Sequence, residues 1–190
     1  MLMPTYGALL ALWGSAVLCY LPLGTRLAVL LVVLGITCFL PMIVIAVLHN
    51  FKIVKDKRLN DRRERWMPYL FTIGCYIAAG FYLVHIHAPY WLPVFMWGGA
   101  AACVISFIVN FWWKISAHLA GIGGVLAFAF CMQADGLGAF NLFWLIIVLI
   151  LLTGALASAR LYMHRHTFWQ AVAGFANGYI CVYAFIRLFS

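Results

Sequence analysis

Seven apolar stretches, at approximately residues 5–22, 27–49, 67–87, 91–112, 117–134, 140–158 and 167–188, take up most of the 190-residue chain. A hydrocarbon core about 30 Å thick needs roughly 20 apolar residues per helical crossing, so runs of this length predict transmembrane segments. In hydrocarbon each backbone N–H and C=O must find its partner within the protein. These stretches are also too long and too evenly apolar for the alternating strands of a barrel. The expected fold is all-α, a polytopic bundle of about six to seven transmembrane helices forming one domain over residues 1–190. Composition agrees: 67% of residues are hydrophobic and 8% charged, against an apolar share of about 45–50% in soluble domains. A multi-pass protein of a bacterial cytoplasmic membrane is the expected setting.

Local features fit this frame. The first cation is Arg26, so the first stretch lacks the basic leader of a secretory signal peptide and is expected to stay in the membrane. The six cysteines lie singly within apolar runs and read as small buried hydrophobes. Trp66, Trp91, Trp112, Trp113 and Trp169 fall near segment ends, where indoles prefer the membrane boundary. Gly174 and Gly178 form a G-x-x-x-G spacing that permits close approach of two helices.

Alternation of crossings places the connections after the second, fourth and sixth stretches on one side of the membrane. Those connections hold ten of the twelve lysines and arginines; Arg26, Arg187 and Asp135 fall on the other side. Two causes compete for this asymmetry. One is the positive-inside rule, which makes the charged face cytoplasmic; the other is an anion site assembled from three loops. The formal net charge of +8 does not point to nucleic acid, because a chain so fully apolar offers no surface for a duplex. Anionic membrane lipid or phosphate is the expected partner.

Histidines at the starts of the fifth and seventh stretches go beyond what orientation requires. Three polar segments carry them: "KDKRLNDRRERWMP", "ISAH" and "ARLYMHRHTFWQ". Together they resemble the type 2 phosphatidic acid phosphatase superfamily of membrane lipid phosphatases, marked by K-x(6)-R-P, P-S-G-H and S-R-x(5)-H-x(3)-D. Lys55 and Arg62 keep the first spacing with Pro68 displaced, and Arg65 is an alternative to Arg62. Ser116 and His118 keep the second, with Ile115 and Ala117 in place of proline and glycine. Arg160 and His166 keep the third, with Ala159 for serine and Gln170 for aspartate.

The resemblance implies hydrolysis of a lipid phosphomonoester or pyrophosphate without a metal or other cofactor. His166 is implied as the nucleophile that becomes phosphohistidine, and His118 as the acid that protonates the departing alkoxide. Lys55, Arg62 or Arg65, and Arg160 would hold phosphate oxygens. Ser116 would add a hydroxyl, and the backbone around Ala117, at a helix start, further donors. Gln170, four residues after His166, is expected to share a helix face with it and to accept its Nδ1 proton. Ser116 has a second reading as an ordinary helix N-cap.

Three alternatives stay open at this level: a protein that binds a phosphorylated lipid without hydrolysing it, a transporter whose polar residues line a path, and a metal site of the kind the H-x-H spacings His85/His87 and His164/His166 invite, although alternation places those two pairs at opposite membrane faces.

Overall fold

The structure is a computed structural model that describes residues 3–50 and 66–189. Lys55, Arg62 and Arg65 lie outside the described residues. Helix α1 covers Met3–Gly14, α2 Leu23–Leu34, α3 Leu40–Asn50, α4 Trp66–His85, α5 Trp91–Val109, α6 Ala117–Ala134, α7 Phe143–Tyr162 and α8 Phe168–Leu188. Among the described residues six helical segments are long and apolar enough to cross a membrane: Leu23–Val47 and the five helices α4 to α8.

The expected crossing at 5–22 is corrected. Its helix α1 has 12 residues, about 18 Å at 1.5 Å per residue, well short of a bilayer core. After Ser15, whose N–H still donates to the Ala11 carbonyl at 3.1 Å, the helical ladder breaks. The Ala16 N–H donates to the Leu137 carbonyl at 2.8 Å, and the Ala139 N–H to the Gly14 carbonyl at 2.7 Å. The chain thus turns over the α6–α7 connection before Pro22 starts α2. Apolar composition continues through this turn, which is why hydropathy alone merges it with the helix.

Helices α2 and α3 form one span joined by a π-helical turn at Gly35–Phe39. Pro41 supplies the reason: it has no N–H for the carbonyl one turn back, and its ring crowds that carbonyl, so the ladder widens locally. Within the widened turn the Thr37 hydroxyl donates to the Val33 carbonyl at 2.7 Å.

The bundle is organised around α6, whose residues Leu119 to Met132 are mostly buried. Phe128 stacks on Phe95 of α5 with ring centroids 4.6 Å apart and also meets Trp91. Against α8 the contact is backbone to backbone. A methyl on Gly178 would strike the Ala120 carbonyl, and one on Gly174 would lie 2.5 Å from the Ser116 carbonyl oxygen. The Gly174/Gly178 pair is therefore the contact surface between α8 and α6, because only glycine lets the backbones meet this closely. Helix α7 is peripheral, with Ile146 its buried residue.

At the end of the bundle away from the charged connections, Arg187 of α8 pairs with Asp135 at 2.6 Å. The six cysteines are free thiols, four of them buried.

Candidate functional site

Three helix termini meet at the other end: the start of α6, the end of α7 and the start of α8. Ser116 precedes α6 in an extended conformation, with φ −85° and ψ 105°. Its N–H donates to the Gln170 carbonyl at 3.1 Å, while its own carbonyl accepts the Ala120 N–H at 3.0 Å. The absent side chain of Gly174 makes room for this crossing.

Ser116 is 0% exposed. It stands at the N-cap position yet makes no capping bond with its side chain, and its Oγ has no hydrogen-bond partner. The ordinary N-cap role is thus not taken up. A hydroxyl buried without a partner costs about 1–3 kcal/mol relative to one that is bonded, so a ligand that bonds it would recover that cost. Ala117 and His118 follow in the first turn of α6, both exposed. Their backbone N–H groups belong to the first turn of a helix, which has no carbonyl of its own to offer them and where the dipole favours an anion.

Arg160 lies in the last turn of α7, half-buried, and its Nε is buried without a hydrogen-bond partner. The connection that follows is tightly defined. His164 takes φ 51°; its N–H donates to the Leu161 carbonyl at 2.9 Å, and the Arg165 N–H to the Arg160 carbonyl at 3.1 Å. These paired bonds close the helix in the Schellman manner, a position glycine usually takes and histidine tolerates better than most residues. The same device ends α4, where His87 has φ 55° and the N–H groups of His87 and Ala88 bond Val84 and Leu83 at 3.0 and 2.9 Å. One histidine of each H-x-H pair is therefore a helix stop. Among the described residues no three His, Cys, Asp or Glu side chains group as a metal site would need.

His166, half-buried, sits in the short connection before α8. The expectation that His166 and Gln170 share a helix face is corrected, because α8 begins at Phe168 with Thr167 as its N-cap. Gln170 is the third residue of the helix. Its Oε1 accepts the Thr167 N–H at 3.1 Å, and the Thr167 side chain accepts the Gln170 backbone N–H. This is a capping box, in which the glutamine satisfies an orphan donor at the helix start. The amide at this position thus holds the backbone immediately after His166.

Ser116, Ala117, His118, Arg160, His166 and Gln170 all stand at this one end of the bundle. They come from three helix termini, of which the starts of α6 and α8 are joined by the Ser116–Gln170 bond and the end of α7 leads into α8 through the short connection that carries His166. Sequence reasoning passed over Asn177, one turn beyond Gly174. Its amide donates to the Ala102 carbonyl at 2.9 Å and to Ser106 Oγ at 3.0 Å, tying α8 to α5 beneath the site. A lone asparagine within an apolar span was the available signal, since a polar group there must be bonded.

No protein-family model, curated protein or solved structure matches the chain.

Proposed function

We propose that this integral membrane helical protein is a lipid phosphatase of the type 2 phosphatidic acid phosphatase kind. The observation that carries the reading is the fully buried, unbonded hydroxyl of Ser116. It is fixed at the start of α6 by the bond to Gln170, at the same end as Arg160 and both histidines. Phosphoryl transfer asks a protein chiefly for positioning and for fixed positive charge and donors around the phosphate oxygens. Arg160, the Ser116 hydroxyl and the first-turn amides of α6 are groups of that type, and Lys55 with Arg62 or Arg65 would complete the charge.

In the proposed reaction an imidazole nitrogen of His166 attacks phosphorus and the bond from phosphorus to the lipid oxygen breaks. His118, as imidazolium, gives its proton to the departing alkoxide. Water then attacks the phosphohistidine, the P–N bond breaks, and His118 takes the proton that water gives up. Inorganic phosphate and the dephosphorylated lipid leave. Gln170 acts as a positioning residue, through the capping box that fixes the chain after His166.

The test is phosphate release from a panel of lipid phosphates by purified protein in chelator, comparing wild type with His166→Ala and His118→Ala. His166→Ala should abolish turnover, and His118→Ala should lower it by about 10²–10⁴, the span of general acid catalysis. Equal rates in wild type and His166→Ala would overturn the assignment.

A further inference from the structure

Two arginines stand at the end of the bundle opposite the candidate site, and their surroundings differ. Arg187 of α8 bonds Asp135 at 2.6 Å, and its guanidinium lies 5.5 Å from the centre of the Tyr183 ring. Arg26 of α2 also stands over a ring, 5.4 Å from the centre of the Trp13 indole of α1. What it lacks is the carboxylate. Among the described residues Asp135 is the only acidic side chain, and Arg187 holds it. The indole face attracts the Arg26 cation but offers no lone pair to its five N–H donors, and its Nε is buried without a hydrogen-bond partner.

Position adds to the imbalance. Arg26 falls in the first turn of α2, where the helix dipole favours negative charge and works against a cation. The span that α2 opens, Leu23–Val47, has 25 residues, more than the roughly 20 that cross a bilayer core. Arg26 is its one charged residue, so the surplus belongs at this end, at the level of the lipid head groups. A helical side chain leans toward the helix start, which directs the half-buried guanidinium to that boundary. Beside it the backbone is uncovered, with nothing within 4 Å of where a Gly24 side chain would begin. Below it Leu23, Leu27 and Leu31 expose an apolar stripe along α2.

We propose that Arg26 holds the phosphodiester of one anionic phospholipid whose acyl chains follow the Leu23, Leu27 and Leu31 stripe. The two free oxygens of a phosphodiester match the parallel N–H groups of a guanidinium, and the first-turn amides of α2 favour the same charge. An anionic lipid suits the place better than a zwitterionic one, which would bring a second cation next to Arg26. The bound lipid supplies here the negative charge that Asp135 supplies to Arg187. Because the Trp13–Arg26 contact links the end of α1 to the start of α2, the lipid also braces the 12-residue helix α1 against its neighbour. The site is independent of the phosphoryl chemistry at the other end of the bundle.

The experiment is photolabelling with phosphatidylglycerol that carries a diazirine near the head of one acyl chain, on full-length protein in detergent micelles, with labelled peptides mapped by mass spectrometry. In wild type the segment from Trp13 to Leu31 should be labelled. Unlabelled phosphatidylglycerol should compete at that segment about tenfold better than phosphatidylcholine, the factor expected of a charge-assisted hydrogen bond. No label there, or equal competition by the two lipids, would overturn the proposal. Displacement by millimolar inorganic phosphate would make this a free-anion site and overturn the lipid. Arg26→Gln should lower the label on this segment by about tenfold and leave label elsewhere on the protein unchanged; Arg26→Lys, which keeps the charge without the fork, should fall between. Label in Arg26→Gln equal to wild type would also overturn it. The competition in wild type needs no variant, so it decides the matter even where Arg26→Gln fails to fold.

Discussion

The backbone N–H of Ser116 donates to the carbonyl of Gln170, 3.1 Å away. Through this bond the segment that opens α6 is carried on the first turn of α8, and the two histidine-bearing termini become one structural unit. Its integrity depends on small features nearby, each open to measurement.

The capping box comes first. Thr167→Ala removes the acceptor of the Gln170 N–H and should cost about 1 kcal/mol of stability. Gln170→Glu, which can close the same box, should cost little. If Gln170 acts by positioning, turnover should fall in Gln170→Ala and return in Gln170→Glu. Phosphate release and the thermal midpoint, measured on the same variants, separate the two effects. A Gln170→Glu protein as inactive as Gln170→Ala would argue against positioning through the cap.

His164 offers the reverse case. Its φ of 51° is one that glycine adopts without steric cost, so His164→Gly should be neutral or stabilising by about 0–1 kcal/mol. His164→Val should destabilise by about 1–2 kcal/mol, since a β-branched residue is a genuine outlier there. Phosphate release should persist in His164→Gly. Abolished turnover in a stable His164→Gly protein would mean that the imidazole acts in the chemistry.

The α6–α8 seam should be intolerant of volume. Gly178→Ala places a methyl against the Ala120 carbonyl, backbone that cannot swing aside, and overpacking of this kind costs about 1–3 kcal/mol or more. Gly154→Ala, on the peripheral helix α7 with open space around it, should be neutral or slightly stabilising. Midpoints of unfolding in detergent would compare them. Equal tolerance at both positions would contradict the close backbone contact.

Asn177 should matter moderately. Asn177→Leu removes two hydrogen bonds between α8 and α5, and such intramembrane bonds are worth about 0.6 kcal/mol each on average. The variant leaves the Ser106 hydroxyl and the Ala102 carbonyl to find other partners, and a loss of about 1–2 kcal/mol is expected. A stability equal to wild type would show that the network re-forms without the asparagine.

Sidedness is a separate matter. The positive-inside rule puts the site face in the cytoplasm. A cysteine at Asp135, at the opposite end, should then react with a membrane-impermeant maleimide added outside intact cells, in a background lacking the native cysteines. Reaction only after permeabilisation would reverse the orientation.

What could be read from the residues was set by the solvent. Hydrocarbon forces helices, and their minimum length, the concentration of lysine and arginine on alternate connections and the G-x-x-x-G of α8 are all properties of local composition and spacing. The six spans and the end at which Ser116, His118, Arg160 and His166 stand were legible on those grounds. The first apolar stretch was not. Its helix stops at Gly14 because backbone partners at Leu137 and Ala139 lie more than a hundred residues away in the chain, and no local pattern encodes them. The roles of polar side chains were equally hidden. Gln170 bonds Thr167, His164 stops a helix and Ser116 declines its cap, since a side chain's partner depends on which backbone groups other helices leave nearby. Hydropathy fixes what must enter the membrane; packing at the ångström scale decides which polar groups remain for a ligand.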